Sequence, residues 1–254
     1  FKGTAAYPST RAISEAIEGV GGSFNAATDR ESTVYWVRVP AREAQRAADV
    51  VAELIVRPKL EDGEIDHERS VIVEEIRSYL DDPSEYAQIL IQQGMFGDGP
   101  LGREICGDEE GILSLPRETI RDFWAATYRP SNIVVAVAGD LDHTTALDLI
   151  APAFGTGNGA TPLYEPAPSL PAGEPYLLGN RDTSQAHLCI SVPAHRRDHP
   201  DSWTIGVLNG VLGEGMSSRL FLSVREELAL AYDVGSGISE YADVGSLGVY
   251  AGVD

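Results

Sequence analysis

Apolar positions along the chain fall into two periods, and their alternation lays out the elements. Residues 9–20 (STRAISEAIEGV) repeat apolar side chains at helical spacing, with Ser9 or Thr10 as cap and Gly21-Gly22 as stop. Residues 33–39 (TVYWVRV) are β-branched and aromatic, which predicts a strand ended by Pro40. Helical spacing returns over 41–56, over 64–80 and, past the breaker Asp81-Asp82-Pro83, over 84–96. A short helix is predicted at 116–127, a buried strand at 132–138 (NIVVAVA) and a helix at 143–154. The pattern restarts with a strand at 186–192, helices at 199–213 and 217–228, and strands at 232–241 and 245–252.

Residues 155–175 are loaded with Gly, Pro and Ala and read as a linker. The predicted organisation is a first domain over 1–155, a linker over 156–175 and a second, related domain over 176–254. Meander-like strand pairs mixed with helices predict an α+β fold. Its form is two tandem two-layer modules, each a mostly antiparallel sheet covered by helices on one face. The second module ends on a strand pattern without closing helices, so it is expected to be incomplete. The chain opens on Phe1 without an initiator Met, so its start is expected to lie upstream.

Composition narrows the function classes. The formal net charge is −20, which argues against nucleic acid or anionic lipid as partner, since both need basic patches. Solubility is the simpler reading of that charge, a preference for cationic substrates the sharper one. No apolar run is long enough to span a bilayer, and a cytoplasmic location is the expectation. Cys106 and Cys189 are far apart, form no C-x-x-C, and are expected to be free and buried.

One helix carries an anomaly. In IDHERSVIVEEIRSY (65–79), a three-then-four spacing puts Ile65, Glu68, Ile72, Glu75 and Tyr79 on one stripe. Two core-type slots therefore hold carboxylates, about two turns and roughly 10 Å apart. A buried carboxylate is costly unless a cation or donor meets it, and either a divalent metal or an Arg would serve. Glu74 is one position off the stripe and reads as solvated, and His67 as surface. His195 and His199 have ligand spacing, but Pro200 and Arg196-Arg197 indicate a loop, so the pair reads as coincidence.

Several stretches together resemble the motifs of one family. Phe1-Lys2-Gly3-Thr4 is similar to the F-K-G-T that follows its H-x-x-E-H motif. Gly21 to Thr28 with Glu31, Thr33 and Tyr35 resembles G-G-x-x-N-A-x-T-x-x-x-x-T-x-Y, and Glu68 to Glu75 resembles E-R-x-V-I-x-x-E. Pro100-Leu101-Gly102 with Gly107, Tyr128 with 132–139, and Leu212 to Phe221 (LGEGMSSRLF) match further motifs in order, followed by Arg225 and Tyr232 in R-E-x-x-x-L-A-Y. The H-x-x-E-H motif itself is not in the chain, and Ala229 stands where the family usually has Gly.

By these motifs the chain resembles the pitrilysin, insulinase and processing-peptidase family of zinc metallopeptidases, and the resemblance implies a zinc-dependent endopeptidase of the inverted-zincin type, acting on peptides in an enclosed chamber. Two histidines preceding Phe1 would bind zinc with Glu75 as third ligand and Glu68 in support, and the Glu between them would activate water. Asn25 and Ala26 would lie on a strand edge that pairs with substrate, although Asn25 also reads as a turn residue. Arg225 and Tyr232 would contact substrate or the oxyanion, although Arg225 also reads as a surface charge. Partners implied are a peptide or unfolded protein and a second subunit, identical or homologous. The competing reading is a non-catalytic member serving as scaffold or regulatory subunit.

Overall fold

A computed structural model describes residues 2–155 and 170–254. Most of the expected linker lies outside the described residues. The chain forms two compact units that are not contiguous in sequence. The first takes residues 1–71 and 110–164, the second 72–109 and 165–254. Two antiparallel sheets, each packed with helices, make the α+β class.

In the first unit, α1 (Thr10–Glu18) begins where the Ser9 hydroxyl accepts from the Ala12 N–H at 3.2 Å. Past its end at Glu18, Gly21 turns the chain through a φ of +79° at little cost. A Cβ on Gly22 would lie 2.8 Å from the carbonyls of Ile17 and Arg38, so only Gly lets the next strand start so close to the helix. β1 (Ser23–Thr28) then pairs antiparallel with β2 (Thr33–Arg38). After a short 3-10 turn come α2 (Ala44–Val56) and the long α3 (Asp62–Asp81), whose residues from Ile72 on belong to the second unit. Ile13 and Ile17 of α1 and Val50 of α2 form the buried centre, with Phe24, Val37 and Leu54 against it. Further along lie α5 (Glu109–Ser114), which the sequence reading missed, α6 (Arg117–Thr127) and α7 (His143–Phe154). The Trp124 indole N–H on α6 donates to the Ile55 carbonyl at 2.9 Å.

The second unit holds α4 (Pro83–Phe96), β3 (Ala186–Ala194), α8 (Ser202–Leu212), a π-helix (Phe221–Glu227), β4 (Ala231–Glu240) and β5 (Gly245–Val253). The sheet order is β3-β5-β4, antiparallel throughout. Met95, Phe96, Leu101 and Tyr241 are its buried cluster, the Phe96 and Tyr241 rings meeting edge to face at 5.5 Å. Leu188, Ile190 and Val192 leave an apolar face of β3 open.

Three expectations are corrected. Residues 133–138 belong to no strand, and Val134 is 95% exposed. An apolar run signals only that a segment suits burial, whereas a strand also needs a neighbour's hydrogen bonds, and among the described residues none pairs with it. The two cysteines are free but only half-buried. Residues 221–227 wind as a π-helix, closed by the Leu228 N–H donating to the Ser223 carbonyl, five residues back.

Glu53, buried on α2, ties down the N-terminal segment of the first unit. Its carboxylate accepts from the Ala6 N–H at 3.0 Å and pairs with Arg57. Burial opposes its ionisation, but the bonds from Arg57, Ala6 and Thr4 together outweigh that and hold the carboxyl below its ordinary value of 4.5. A depressed folded-state value gives stability that is present above the unfolded value and lost as pH falls through the folded one. Glu53→Ala is expected to cost about 1–3 kcal/mol at neutral pH in urea unfolding. The gap between wild type and variant should narrow below pH 4.5, the ordinary value.

Candidate functional site

The phase of α3 decides where its carboxylates sit. At about 100° per residue, the buried positions Ile65, Val73 and Ile76 span an arc of about 80°. Glu68 and Glu75 fall about 60° and 80° on the other side of Ile65, and within about 20° of each other. The two carboxylates do share a face, but that face flanks the buried arc. Glu75 is exposed, which corrects the expectation that it points into the interior. The equal-slot reading of the stripe failed because Val73 and Ile76, not Ile72 and Tyr79, centre the buried side. Glu75 has no ion-pair or hydrogen-bond partner among the described residues.

Glu68 is half-buried, and its Oε2 is shielded from solvent. The atom that meets it is the Lys2 ammonium, at 2.8 Å. The bond to Glu68 raises the Lys2 pKa against the opposing effect of burial. A cation therefore answers this carboxylate, and it comes from the F-K-G-T segment, not from an Arg of the helix. Arg69 next door donates to the carbonyls of Ile112 and Leu115 instead. No spacing rule links Lys2 to Glu68, so the pair was invisible in the sequence.

Asn25 and Ala26 lie in β1, opposite Trp36 and Tyr35 of β2. Asn25 is thus a strand residue, not a turn residue, and it is exposed. Its side-chain carbonyl accepts the Ala26 N–H at 2.8 Å. Among the described residues, no strand pairs with the other edge of β1. Tyr35 on β2 meets Tyr128, their hydroxyls 3.4 Å apart and their rings edge to face. Burial first, then the bond to Tyr128, pushes the Tyr35 hydroxyl pKa well up.

Arg225 and Tyr232 are brought together in the second unit. The Arg225 guanidinium sits 4.4 Å from the centre of the Tyr232 ring and 4.7 Å from that of Phe221. Such contacts are worth about 0.5–1 kcal/mol at exposed sites. Three local features aim Tyr232. The π-helix widens the turn that carries Arg225. Ala229 turns back through φ +51°. The register of β4 on β5 then slips between Ala231 and Asp233, so Tyr232 is the extra residue of a bulge. A bulged residue leaves the ladder and its side chain is re-aimed, here outward at 76% exposure. Tyr232 also lines an open cavity of about 360 Å³ with Asp82, Asp233, His187 and Tyr250. The His187 Nδ1 and the Tyr250 hydroxyl are 2.9 Å apart there. The cavity's charged walls are acidic, a feature the sequence reading did not find because its residues come from four separate segments.

Comparison with known proteins fits these geometries into one class. Residues 1–109 match the family model described as insulinase, peptidase family M16, and residues 114–254 that described as peptidase M16 inactive domain. An uncharacterized zinc protease of Streptomyces coelicolor is 41% identical over 263 residues, covering 99% of this chain and 56% of the relative. One from Bacillus subtilis is 35% identical over 255 residues, covering 99% of the chain and 61% of the relative. This chain thus spans little more than half the length of these relatives. In fold it is similar to a protease from Helicobacter pylori, with TM-score 0.92 and 21% identity over all of this chain and 62% of that one. A peptidase M16 inactive domain from Pseudomonas fluorescens gives TM-score 0.81 and 21% identity, over 99% and 62%.

The class is therefore an α+β chain of peptidase type, with antiparallel sheets packed on helices. In particular, the chain belongs to the M16, or insulinase, peptidase family. No helix among the described residues is long and apolar enough to cross a membrane.

A non-Gly residue in the left-handed region costs about 1–2 kcal/mol, partly offset by the extra freedom glycine has when unfolded. Ala229→Gly is therefore expected to raise stability by about 0.5–1 kcal/mol in urea unfolding. The Arg225–Tyr232 contact should persist, which a crystal structure of the variant checks.

Proposed function

We propose that the whole protein is a zinc-dependent endopeptidase, with Glu75 as a zinc ligand and Glu68 as its supporting carboxylate. The observation that carries this reading is the pair of carboxylates two turns apart on one face of α3, in a chain of this family. The residues fit the metal. Glu75 is an open, unpartnered carboxylate, the state in which an oxygen ligand can reach an ion. Glu68, shielded at Oε2 and met by Lys2, is already organised to sit beside a positive centre. Zinc, when bound, would polarise a peptide carbonyl and lower the pKa of water.

The other residues divide the work on substrate. The open edge of β1 offers an extended peptide a strand to pair with, once Asn25 releases the Ala26 N–H. Arg225 and the Tyr232 hydroxyl would hold substrate or the charge that develops on the attacked carbonyl. The description of the 114–254 match as an inactive domain agrees with that part handling substrate while the metal chemistry lies in the other. An enclosed chamber built with a second, identical or homologous subunit, and a peptide or unfolded protein as substrate, complete the reading.

The full-length protein tests it. Glu75→Gln is expected to lower zinc per chain, by elemental analysis, at least tenfold and to abolish cleavage of a quenched fluorescent peptide. Zinc content unchanged by this substitution would overturn the assignment and favour the scaffold reading. Tyr232→Phe should keep its zinc and lose about 10²–10³ in kcat, the usual effect of removing one oxyanion donor. A loss confined to KM would make Tyr232 a substrate contact only.

A further inference from the structure

The loop joining β3 to α8 holds a cluster that the proposed peptidase chemistry does not use. The imidazoles of His195 and His199 lie face to face, centroids 3.7 Å apart and planes within 10°. Asp201 follows at the start of α8, its Oδ2 4.0 Å from the His199 Nδ1. One potential ligand atom from each of the three residues lies within 4.8 Å of the other two. Pro200 does not scatter them. The turn closed by the His199 N–H on the Arg196 carbonyl, at 3.1 Å, brings residues four apart face to face without a helix.

The loop is fastened on both sides of the cluster. The Arg197 N–H donates to the Tyr241 carbonyl at 3.0 Å, and its guanidinium to the Glu240 carbonyl at 2.8 Å, anchoring the loop to the end of β4. The Ser202 hydroxyl donates to the His199 carbonyl at 2.6 Å. The Asp201 N–H donates to the His199 Nδ1 at 3.1 Å, so that lone pair points into the turn. A backbone held this way has little conformational entropy left to lose when a ligand binds.

We propose that His195, His199 and Asp201 bind a divalent transition metal of the zinc type. Two imidazoles and one carboxylate are a borderline donor set, suited to zinc and disfavouring calcium or magnesium, which take oxygen ligands. On binding, the ion replaces the Asp201 N–H as the partner of the His199 Nδ1. The stacked imidazoles tilt so that their lone pairs converge, the Asp201 Oδ2 closes from 4.0 Å to roughly 3.3 Å from the His199 Nδ1, and a neighbouring water or a further side chain fills the fourth position. The ligands come from the end of β3 and the start of α8, so the ion would clip the loop between them. A net charge of −20 also favours a cation over an anion at this surface. The site shares no residue with the Glu68–Glu75 face and does not depend on the peptidase reading.

The test is zinc titration of the full-length protein by calorimetry after chelator stripping, with wild type, His195→Phe, His199→Asn and Glu75→Gln compared. His195→Phe keeps a flat ring on the stack and removes its lone pair, which separates ligation from packing. The expected result is one binding class weakened at least tenfold in both histidine variants and intact in Glu75→Gln. In the Glu75→Gln background zinc should also raise the melting temperature, and adding His195→Phe should remove that rise. Isotherms of His195→Phe that superimpose on wild type would overturn the proposal, whatever becomes of His199→Asn. Loss of zinc binding only in Glu75→Gln would overturn it equally.

Discussion

A carboxylate removed from water must meet a cation or a set of donors, and this rule orders the acidic side chains of the first unit and of α3. Glu53 is buried and meets the Ala6 N–H and Arg57, so the N-terminal segment is held against α2. Glu68 is half-buried and meets Lys2. Glu75 has no such partner and stays in solvent. The three span a range from fully answered to unanswered charge, and function is sought at the unanswered end. With thirty-nine acidic side chains against nineteen basic ones, most carboxylates can only remain in water. Those that do not are therefore informative.

The Arg225–Tyr232 pair follows a different logic, in which irregular backbone does the aiming. A regular helix followed by a regular strand would place the two side chains by their periods alone. Here a π-helix, a left-handed alanine and a bulge occur within about a dozen residues. Each is unfavourable or unusual alone. Together they put a guanidinium on a tyrosine face and turn that tyrosine towards an acid-walled cavity. Strain gathered around a solvent-facing side chain fits a residue selected for what it touches, since a packing role would be better met inside.

Much of the architecture was legible along the chain because it rests on local rules. The cap at Ser9, the breaker Asp81-Asp82-Pro83, the glycine stops and the apolar periods place most helices within a few residues. Strand β2 shows in a β-branched and aromatic run, β3 to β5 in the pattern that restarts after 175, and the family motifs follow in order. By themselves these features determined the α+β class, the family and the facial pairing of Glu68 with Glu75, because a helix fixes the angle between residues seven apart wherever it sits. The sequence did not reveal which side of α3 is buried. That depends on what packs against Val73 and Ile76, and the two candidate arcs differ by less than one residue's rotation.

Tertiary structure alone decided the rest, and the reason is the same each time. Lys2 meets Glu68 across 66 residues, Tyr35 meets Tyr128 across 93, and the cavity beside Tyr232 gathers four segments. Residues 132–138 have every local property of a strand, yet they pair with none of the described residues, since pairing belongs to two segments and not to one. His195 and His199 show the converse. Their spacing suggests no shared face without a helix, and a turn over 196–199 fastened to a neighbouring strand brings them face to face. Local periodicity fixes angles along one element, whereas distances between elements come only from the fold.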